Sequence, residues 1–253
     1  MKIKHAELII PDDNPFENCK LDREPYAKIL TTIVQTYADG FVMAINNDWG
    51  TGKTTFIKMW KQLLNNKSYR TIYFNAWEND FDSNPLVALI AEFESIAIKS
   101  TKKDFKSLLK NAATLAKNVL PATSKTIVDH LTGGTAKVTS EIAQNLTRAV
   151  TDIFEGKVKD YAERKKTIKT FRSKLETYVS GNDGKPLIFF IDELDRCRPT
   201  YAVEVLEQIK HLFAVSGIVF VLSIDKNHLA SAVKGVYGSE SINTNEYLRR
   251  FID

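Results

Sequence analysis

Residues 44–56, AINNDWGTGKTTF, combine glycines, a lysine and hydroxyl side chains at a spacing typical of phosphate binding. The segment nearly matches the pattern G-x-x-x-x-G-K-[ST], whose backbone amides cradle phosphate, whose lysine reaches the β- and γ-phosphates and whose hydroxyl binds Mg²⁺. It therefore predicts a phosphate-binding loop (P-loop) that opens a helix. The residues predicted to bind nucleotide here are Asn47, Asp48, Trp49, Gly50, Thr51, Gly52, Lys53, Thr54 and Thr55.

The first position of the pattern is Asn47 instead of glycine. That glycine often has a positive φ, and asparagine is among the residues that best tolerate such a conformation. Gly50 and Gly52 let the backbone curl around an anion without a Cβ clash. The alternative interpretation of the segment, a helix start that matches by chance, is the less favoured one.

Asp192 and Glu193 follow the apolar run LIFFI at 187–191. If that run is a strand of a parallel sheet, its carboxyl end lies on the same side as the P-loop. Asp192 is then placed to bind Mg²⁺ through water, with Thr54 as the second metal-binding residue. Glu193 is placed to orient and deprotonate an attacking water. A salt-bridged turn is the alternative for this segment alone, but the P-loop upstream favours a catalytic pair.

Two further groups of charged residues leave their roles open. Asp225 ends the run FVLSID, where it either senses the γ-phosphate and the lytic water or caps the next helix. Arg196 and Arg198 follow the acidic pair. Either could neutralise phosphate as an arginine finger, but an ion pair with Asp195 is the favoured interpretation. Arg196 is retained as a catalytic candidate.

The elements that position these residues are short apolar runs alternating with amphipathic segments, which predicts a parallel sheet covered on both faces. Residues 1–100 and 181–253 form a discontinuous core under this interpretation, and 101–180 form a helical insertion. The predicted strands are 41–45, 71–77, 187–191 and 217–224, and the predicted core helices follow Pro25, Gly52, Pro199 and Lys226.

Composition excludes several classes of protein. The chain has 253 residues, a net charge of +4 and two distant cysteines, which favours a reducing compartment over a disulfide framework. No apolar run is long enough to span a membrane, so a cytoplasmic location is expected. The basic face of 157–174 is predicted to be a solvated helix surface. Contact with nucleic acid or acidic lipid is the alternative for that face.

Four segments in this order resemble the KAP family of P-loop NTPases, which is related to the STAND and AAA+ ATPases. NDWGTGKTT, with its Trp49, resembles the family's G-x-W-G-S-G-K-[ST] loop, and FNAWEND its second-strand segment. FFIDELDRCRP resembles its acidic motif, and FVLSIDKNHL together with YLRRFID its sensor region. The resemblance implies an α/β, three-layer α/β/α P-loop NTPase fold. Its sheet is mainly parallel, with a helical insertion between the Walker A strand, which bears the P-loop, and the Walker B strand, which ends in Asp192.

The resemblance also implies ATP and Mg²⁺ as cofactors, and hydrolysis coupled to conformational change or assembly in bacterial anti-phage defence. It implies a homo-oligomer or partner proteins of a defence or signalling complex, and places Arg23, in LDREPYAKIL, near the adenine. The family's C-terminal helical region is expected to be absent, which leaves Arg249 and Arg250 as the last candidate finger residues. The alternative function is a nucleotide-binding switch or scaffold that hydrolyses weakly without partners; a small-molecule kinase is disfavoured.

Overall fold

The computed structural model describes residues 9–81, 84–96, 102–119, 140–180, 184–238 and 242–253, with side chains except at 116–119 and 140–157. Four parallel strands form one sheet in the order β1-β4-β3-β2. Each of the four apolar runs is a strand, so the predicted parallel sheet is confirmed. The strands are β1 (Phe41–Asn46), β2 (Thr71–Asn75), β3 (Leu187–Asp192) and β4 (Ile218–Ile224).

The helices alternate with these strands along the chain. The helix predicted from Pro199 ends as an α-helix at Gln208 and continues as a wider π-type turn at Ile209–Phe213. The described helices are α1 (Glu24–Thr36), α2 (Lys53–Asn66), α3 (Pro85–Glu92), α4 (Lys102–Val119), α5 (Ser140–Val179), α6 (Pro199–Gln208), α7 (Lys226–Tyr237) and α8 (Thr244–Leu248).

Apolar side chains cover both faces of the sheet. Successive strand residues point to opposite faces. Phe190 packs edge-on against Trp60 of α2, with ring centroids 5.3 Å apart. Its neighbour Phe189 lies against Phe93 at 5.5 Å and Phe220 at 5.3 Å. Every residue of β3 and β4 is buried. The sheet is therefore the middle of three layers.

The register of the sheet aligns polar residues at its carboxyl edge. Asn75 of β2 pairs with Asp192 of β3, and Asp192 pairs with Ser223 of β4. These three residues form a row across neighbouring strands. The bodies of β3 and β4 are apolar, so the polar groups of these two strands lie at this edge.

The described residues divide into two compact units. One contains the residues up to Leu108 and those from Arg172 to Asp253, and the other contains those from Leu109 to Phe171. The described parts of the predicted insertion, 102–119 and 140–179, are helical, whereas its status as a separate domain stays a prediction. None of the helices in the described ranges combines the length and hydropathy that crossing a membrane requires.

Candidate functional site

A cavity of about 210 Å³ lies at the carboxyl edge of the sheet. It brings together the loop after β1, the segment after β3 and the end of β4. The lining residues are Trp49, Gly50, Gly52, Lys53, Thr54, Asp192, Glu193, Asp195, Arg196 and Ser223.

The loop between β1 and α2 is built on two left-handed glycines. Gly50 has a φ of 78° and Gly52 a φ of 79°, a conformation that side-chain-bearing residues rarely adopt. Asn47 does not have a positive φ, so the reason predicted for asparagine at this position is wrong. Instead the backbone N–H of Asn47 donates to Ile224 O at 3.2 Å, and its side-chain Oδ1 accepts from the backbone N–H of Asp48 at 2.9 Å. Asn47 therefore supplies a side-chain acceptor at a position whose conformation does not require glycine.

Lys53 folds back over the loop. Its Nζ donates to Asn47 O at 2.6 Å and to Asp48 O at 2.9 Å, and both bonds are exposed. Thr54 is beside it in the wall of the cavity. The ammonium group and the hydroxyl thus face the same space at the amino terminus of α2, where backbone amides and the helix dipole favour an anion.

Arg23, immediately before α1, braces the loop from outside. Its guanidinium donates to Thr51 O at 2.9 Å and to Gly52 O at 3.3 Å. Two further cavities, of about 580 and 180 Å³, adjoin Arg23. Phe56 lines both, and Thr55 lines the smaller one. The amino-terminal segment and the P-loop therefore enclose partly apolar space next to the phosphate-binding groups.

Asp192 is buried, with 1% of its surface exposed. Its Oδ2 accepts from the Tyr73 hydroxyl at 3.0 Å, and its Oδ1 accepts from the Glu193 amide at 3.0 Å. Burial and the Asp192 carboxylate raise the pKa of Tyr73 above its ordinary value, so the phenol stays protonated and donates. In the described part of the chain Asp192 is in no salt bridge, which leaves a buried carboxylate ready to receive a cation.

Glu193 is held by two partners. Asn75 Nδ2 donates to its Oε2 at 3.2 Å, and Arg196 contacts its Oε1 at 2.9 Å. Its φ of 60° is in the left-handed region, which is uncommon for residues other than glycine. The favoured ion pair of Arg196 or Arg198 with Asp195 is wrong, because Arg198 pairs with Asp80 at 2.8 Å.

Trp49 connects the loop to two other elements. Its Nε1 donates to Asp195 Oδ2 at 2.5 Å, and its ring stacks on His228 of α7 with centroids 3.9 Å apart. The Arg196 guanidinium is 5.7 Å from the Trp49 ring centroid and 6.0 Å from that of Trp77. The tryptophan thus ties the P-loop to the segment after β3 and to α7.

Of the two roles left open for Asp225, the structure shows the helix cap. The Asp225 Oδ1 accepts from the amides of Asn227 at 3.0 Å and His228 at 3.3 Å. The residue at the cavity is Ser223, two positions earlier. Its Oγ is buried and has no hydrogen-bond partner among the described residues.

Sequence reasoning missed Tyr73, Asn75 and Ser223. The one available signal was that Asn75 and Ser223 are polar residues at the ends of apolar runs. Nothing in the sequence marked Tyr73, whose role depends on the register of β2 against β3.

These residues fit a Mg²⁺–nucleotide. Thr54 and Asp192 supply oxygen donors, Lys53 supplies a cation and Ser223 supplies an unsatisfied hydroxyl, all at one cavity. Within the described ranges, no group of three or more His, Cys, Asp or Glu residues could hold a metal ion by itself. Mg²⁺ does not require such a group, since it typically takes one or two protein ligands and completes its shell with water and phosphates.

A parallel sheet, a P-loop between β1 and the helix after it, and an acidic end on β3, which β4 separates from β1, define the P-loop NTPase class. The family described as "KAP family P-loop domain" matches residues 23–253, and the chain belongs to this family. The predicted family and fold are therefore confirmed, and membership implies nucleotide binding. No individually curated protein matches the chain significantly in sequence.

Proposed function

We propose that this domain binds ATP with Mg²⁺ and hydrolyses it, coupling the nucleotide state to conformational change or assembly. The observation that carries the proposal is the cavity that joins Lys53 and Thr54 of the P-loop to Asp192, at the end of β3, and Glu193, immediately after it. A phosphate group there would meet a cation, two metal-binding oxygens and a base at once. Such a set of positioning and electrostatic groups is what phosphoryl transfer needs from a protein.

Lys53 and the loop amides bind the phosphates in this proposal. The two carbonyl acceptors of Lys53 are neutral and exposed. Phosphate oxygens carry negative charge, so the ammonium group gains a Coulombic attraction there that neutral carbonyls do not offer. The ammonium group therefore moves from Asn47 and Asp48 to the β- and γ-phosphates when the nucleotide enters. Gly50 and Gly52 keep the backbone close to the anion.

Thr54 and Asp192 hold the metal in this proposal. Bound there, Mg²⁺ neutralises charge that develops on the phosphates. Ser223 lines the same cavity, and its buried hydroxyl has no hydrogen-bond partner among the described residues. A hydrogen bond to the terminal phosphate would supply that partner. We therefore transfer the sensing role proposed for the end of β4 from Asp225 to Ser223.

Glu193 orients and deprotonates the attacking water. Its carboxylate is at the cavity, but both oxygens already have partners, Asn75 and Arg196. A water molecule must either share a Glu193 oxygen with one of these partners or replace that partner. Arg196 is the partner that can leave, since 39% of its side chain is exposed. Once released from Glu193, it would be free to contact a phosphate.

The engaged state of Glu193 also favours a second candidate function. The domain would then be a nucleotide-binding switch or scaffold that hydrolyses slowly until a partner displaces Arg196. Single-turnover phosphate release with and without added partner proteins distinguishes the two candidates. A fast first turnover by the isolated chain supports the ATPase, and a turnover that requires partners supports the switch.

We propose that the adenine ring of ATP lies beside Arg23, in the partly apolar cavities lined by Phe56, Tyr26 and Thr55. Arg23 donates hydrogen bonds to two P-loop carbonyls. Contact between the adenine and Arg23 would therefore change the geometry of the loop. Comparison of ATP with GTP and CTP in the same binding assay tests whether the pocket selects adenine.

The biological setting follows the family resemblance and is also part of the proposal: a cytoplasmic role in bacterial anti-phage defence, as a homo-oligomer or with partner proteins. A nucleic-acid-dependent motor is the alternative, supported by exposed cations on α5. If nucleic acid is the partner, DNA or RNA stimulates ATPase activity and the stimulation falls with salt. Where the structure describes the side chains of α5, its exposed cations are Lys159, Arg164, Lys165, Lys166, Lys169, Arg172 and Lys174.

The purified chain tests the proposal directly. ATP affinity and phosphate release are measured with Mg²⁺ and again with excess EDTA. We expect binding in both conditions, tighter with Mg²⁺, and release only with Mg²⁺. Failure of the folded chain to bind any nucleoside triphosphate contradicts the proposal as a whole. Binding without release in a single turnover rejects the hydrolysis and leaves the switch.

A further inference from the structure

We propose that Tyr73 is a positioning residue for the metal site: its hydroxyl fixes the orientation of the Asp192 carboxylate. The inference rests on the proposed function, since it assumes that Asp192 serves a divalent cation. It adds a residue outside the P-loop and the acidic motif.

The placement of Tyr73 follows from strand pairing. Tyr73 pairs with Phe190 in the parallel register, and Asn75 pairs with Asp192. Residues two apart on a strand share a face, so Tyr73 and Asn75 project to the same side of β2. The tyrosine side chain extends from the row of Phe190 to the row of Asp192, two positions further along the sheet, where its hydroxyl reaches the carboxylate.

The hydrogen bonds around Asp192 show what the hydroxyl does. The Glu193 amide bonds Oδ1 at 3.0 Å, and Tyr73 bonds Oδ2 at 3.0 Å. One bond on each oxygen fixes the rotation of the carboxylate plane. An ionised carboxylate has about four lone-pair sites, so each oxygen keeps a site for a metal-bound water or the metal itself. The carboxylate is 1% exposed, so little solvent reaches it in place of a missing donor.

The ring of Tyr73 is itself anchored. It packs against the buried cluster that includes Trp60, Phe190 and Val221. The hydroxyl is therefore presented by a ring that is packed against the core, on the edge strand that pairs with β3. Partners that orient a metal ligand act by fixing its position in this way. Loss of the hydroxyl should leave this packing in place, because phenylalanine has the same ring.

The test separates metal binding from nucleotide binding. The affinity for the non-hydrolysable analogue AMP-PNP is measured in EDTA and in Mn²⁺, which stands in for Mg²⁺, and the ratio gives the gain due to metal. We expect Tyr73→Phe to reduce that gain about 10-fold, as loss of a group that orients a metal ligand does, with the affinity in EDTA unchanged. Electron paramagnetic resonance of bound Mn²⁺ gives the metal affinity independently.

Tyr69→Phe is the matched control. Tyr69 is a buried tyrosine of the same apolar cluster, next to the opposite end of β2, and its variant should keep the full gain. Asp192→Asn should lose the gain whether or not Tyr73 is also changed.

The outcomes distinguish the two levels of inference. A full gain in Tyr73→Phe, with a reduced gain in Asp192→Asn, overturns the role of Tyr73 and leaves the proposed function intact. An equal loss of affinity in EDTA and in Mn²⁺ shows a merely structural effect and also overturns it. Absence of any gain in the unchanged chain contradicts the proposed metal site itself.

A second readout keeps the Tyr73 hydroxyl and so does not depend on the Tyr73→Phe variant. Fluorotyrosine at position 73 keeps the ring and the hydroxyl. Its fluorine resonance should shift when Mg²⁺ and AMP-PNP are added together, and should not shift in Asp192→Asn. A resonance that ignores the metal in the unchanged background overturns the proposal.

Discussion

The P-loop and the acidic end of β3 face the same cavity, but they are held in different ways. The Lys53 bonds join residues five and six positions apart, and they are exposed. The bonds on Asp192 and Glu193 from Tyr73 and Asn75 join residues 119 and 118 positions apart across paired strands. The loop can thus rearrange around a ligand while the acidic end stays fixed by the sheet.

The difference indicates how binding and catalysis can be separated in this domain. Changes in the loop should act on affinity, since its side chains exchange internal partners for the ligand. Changes at Glu193 should act on turnover, since its side chain is already in place. Changes at Asp192 and Tyr73 should act on the part of the affinity that depends on the metal. Trp49 is the exception, because it belongs to the loop and bonds to Asp195. Four substitutions test this division, from the largest expected effect to the smallest.

Lys53→Ala should abolish measurable ATP binding. Hydrogen bonds to charged groups contribute about 1.5–3 kcal/mol each, so losing contacts to two phosphates weakens binding by about 100-fold or more. Calorimetric titration measures the affinity. Lys234→Ala, at an exposed position on α7, is the control and should bind normally. Near-normal affinity in Lys53→Ala would remove the loop from the binding site.

Glu193→Gln should keep ATP affinity and lower turnover. Loss of a general base reduces the rate by about 10²–10⁴-fold, while the amide keeps the shape and a hydrogen bond with Asn75. Phosphate release in a single turnover is the measurement, and Glu17→Gln, at an exposed position, is the control. Normal hydrolysis by Glu193→Gln would contradict the assignment of Glu193 as the general base, and with it the division between loop and acidic end.

Trp49→Phe should lower the free energy of unfolding by about 1–2 kcal/mol, because Asp195 loses a charge-assisted hydrogen bond while an aromatic ring remains over His228. Denaturant unfolding measures it. Trp77→Phe is matched, since Trp77 is 55% exposed and its ring lies 6.0 Å from the same Arg196 guanidinium. We expect less than about 0.5 kcal/mol from that change. Equal effects of the two variants would show that the bond to Asp195 does not stabilise the domain.

Ser223→Ala should have the smallest effect on stability, and with the opposite sign. Removing a buried hydroxyl that has no partner raises the free energy of unfolding by up to about 1 kcal/mol. Turnover should fall at the same time if the hydroxyl contacts the terminal phosphate. Thermal unfolding without nucleotide and steady-state hydrolysis provide the two measurements. A stabilised variant with full activity would leave β4 without a role in the chemistry.

The P-loop was predictable from sequence because its parts are contiguous. Two glycines, a lysine and a threonine lie within five residues, and the helix that they open begins at Lys53 as expected. The strands were predictable because each is a short apolar run in a sheet buried on both faces. The place of Asn47 in the pattern was seen, but its role was not, since that is the hydrogen bond that its Oδ1 accepts from the Asp48 amide and not a positive φ.

The surroundings of the acidic end were not predictable. Which polar side chain meets Asp192 depends on which strand lies next to β3 and in what register, and a single sequence contains neither. The predicted ion pair of Arg196 was wrong for a local reason. Sequence favoured the nearest carboxylate, Asp195, whereas the turn after β3 brings Arg196 to Glu193. Asp225 was ambiguous because the end of a strand is also the start of a helix.

The indole of Trp49 lies flat against the imidazole of His228, in contact with Asp195 and near Arg196. An indole emits light with an intensity and colour that depend on its neighbours. The chain therefore carries its own optical probe in the P-loop, and Trp60, buried in the core, offers a reference that the ligand does not touch. A change in emission on addition of nucleotide, lost in Trp49→Phe, would follow the movement of this loop in real time and without a label.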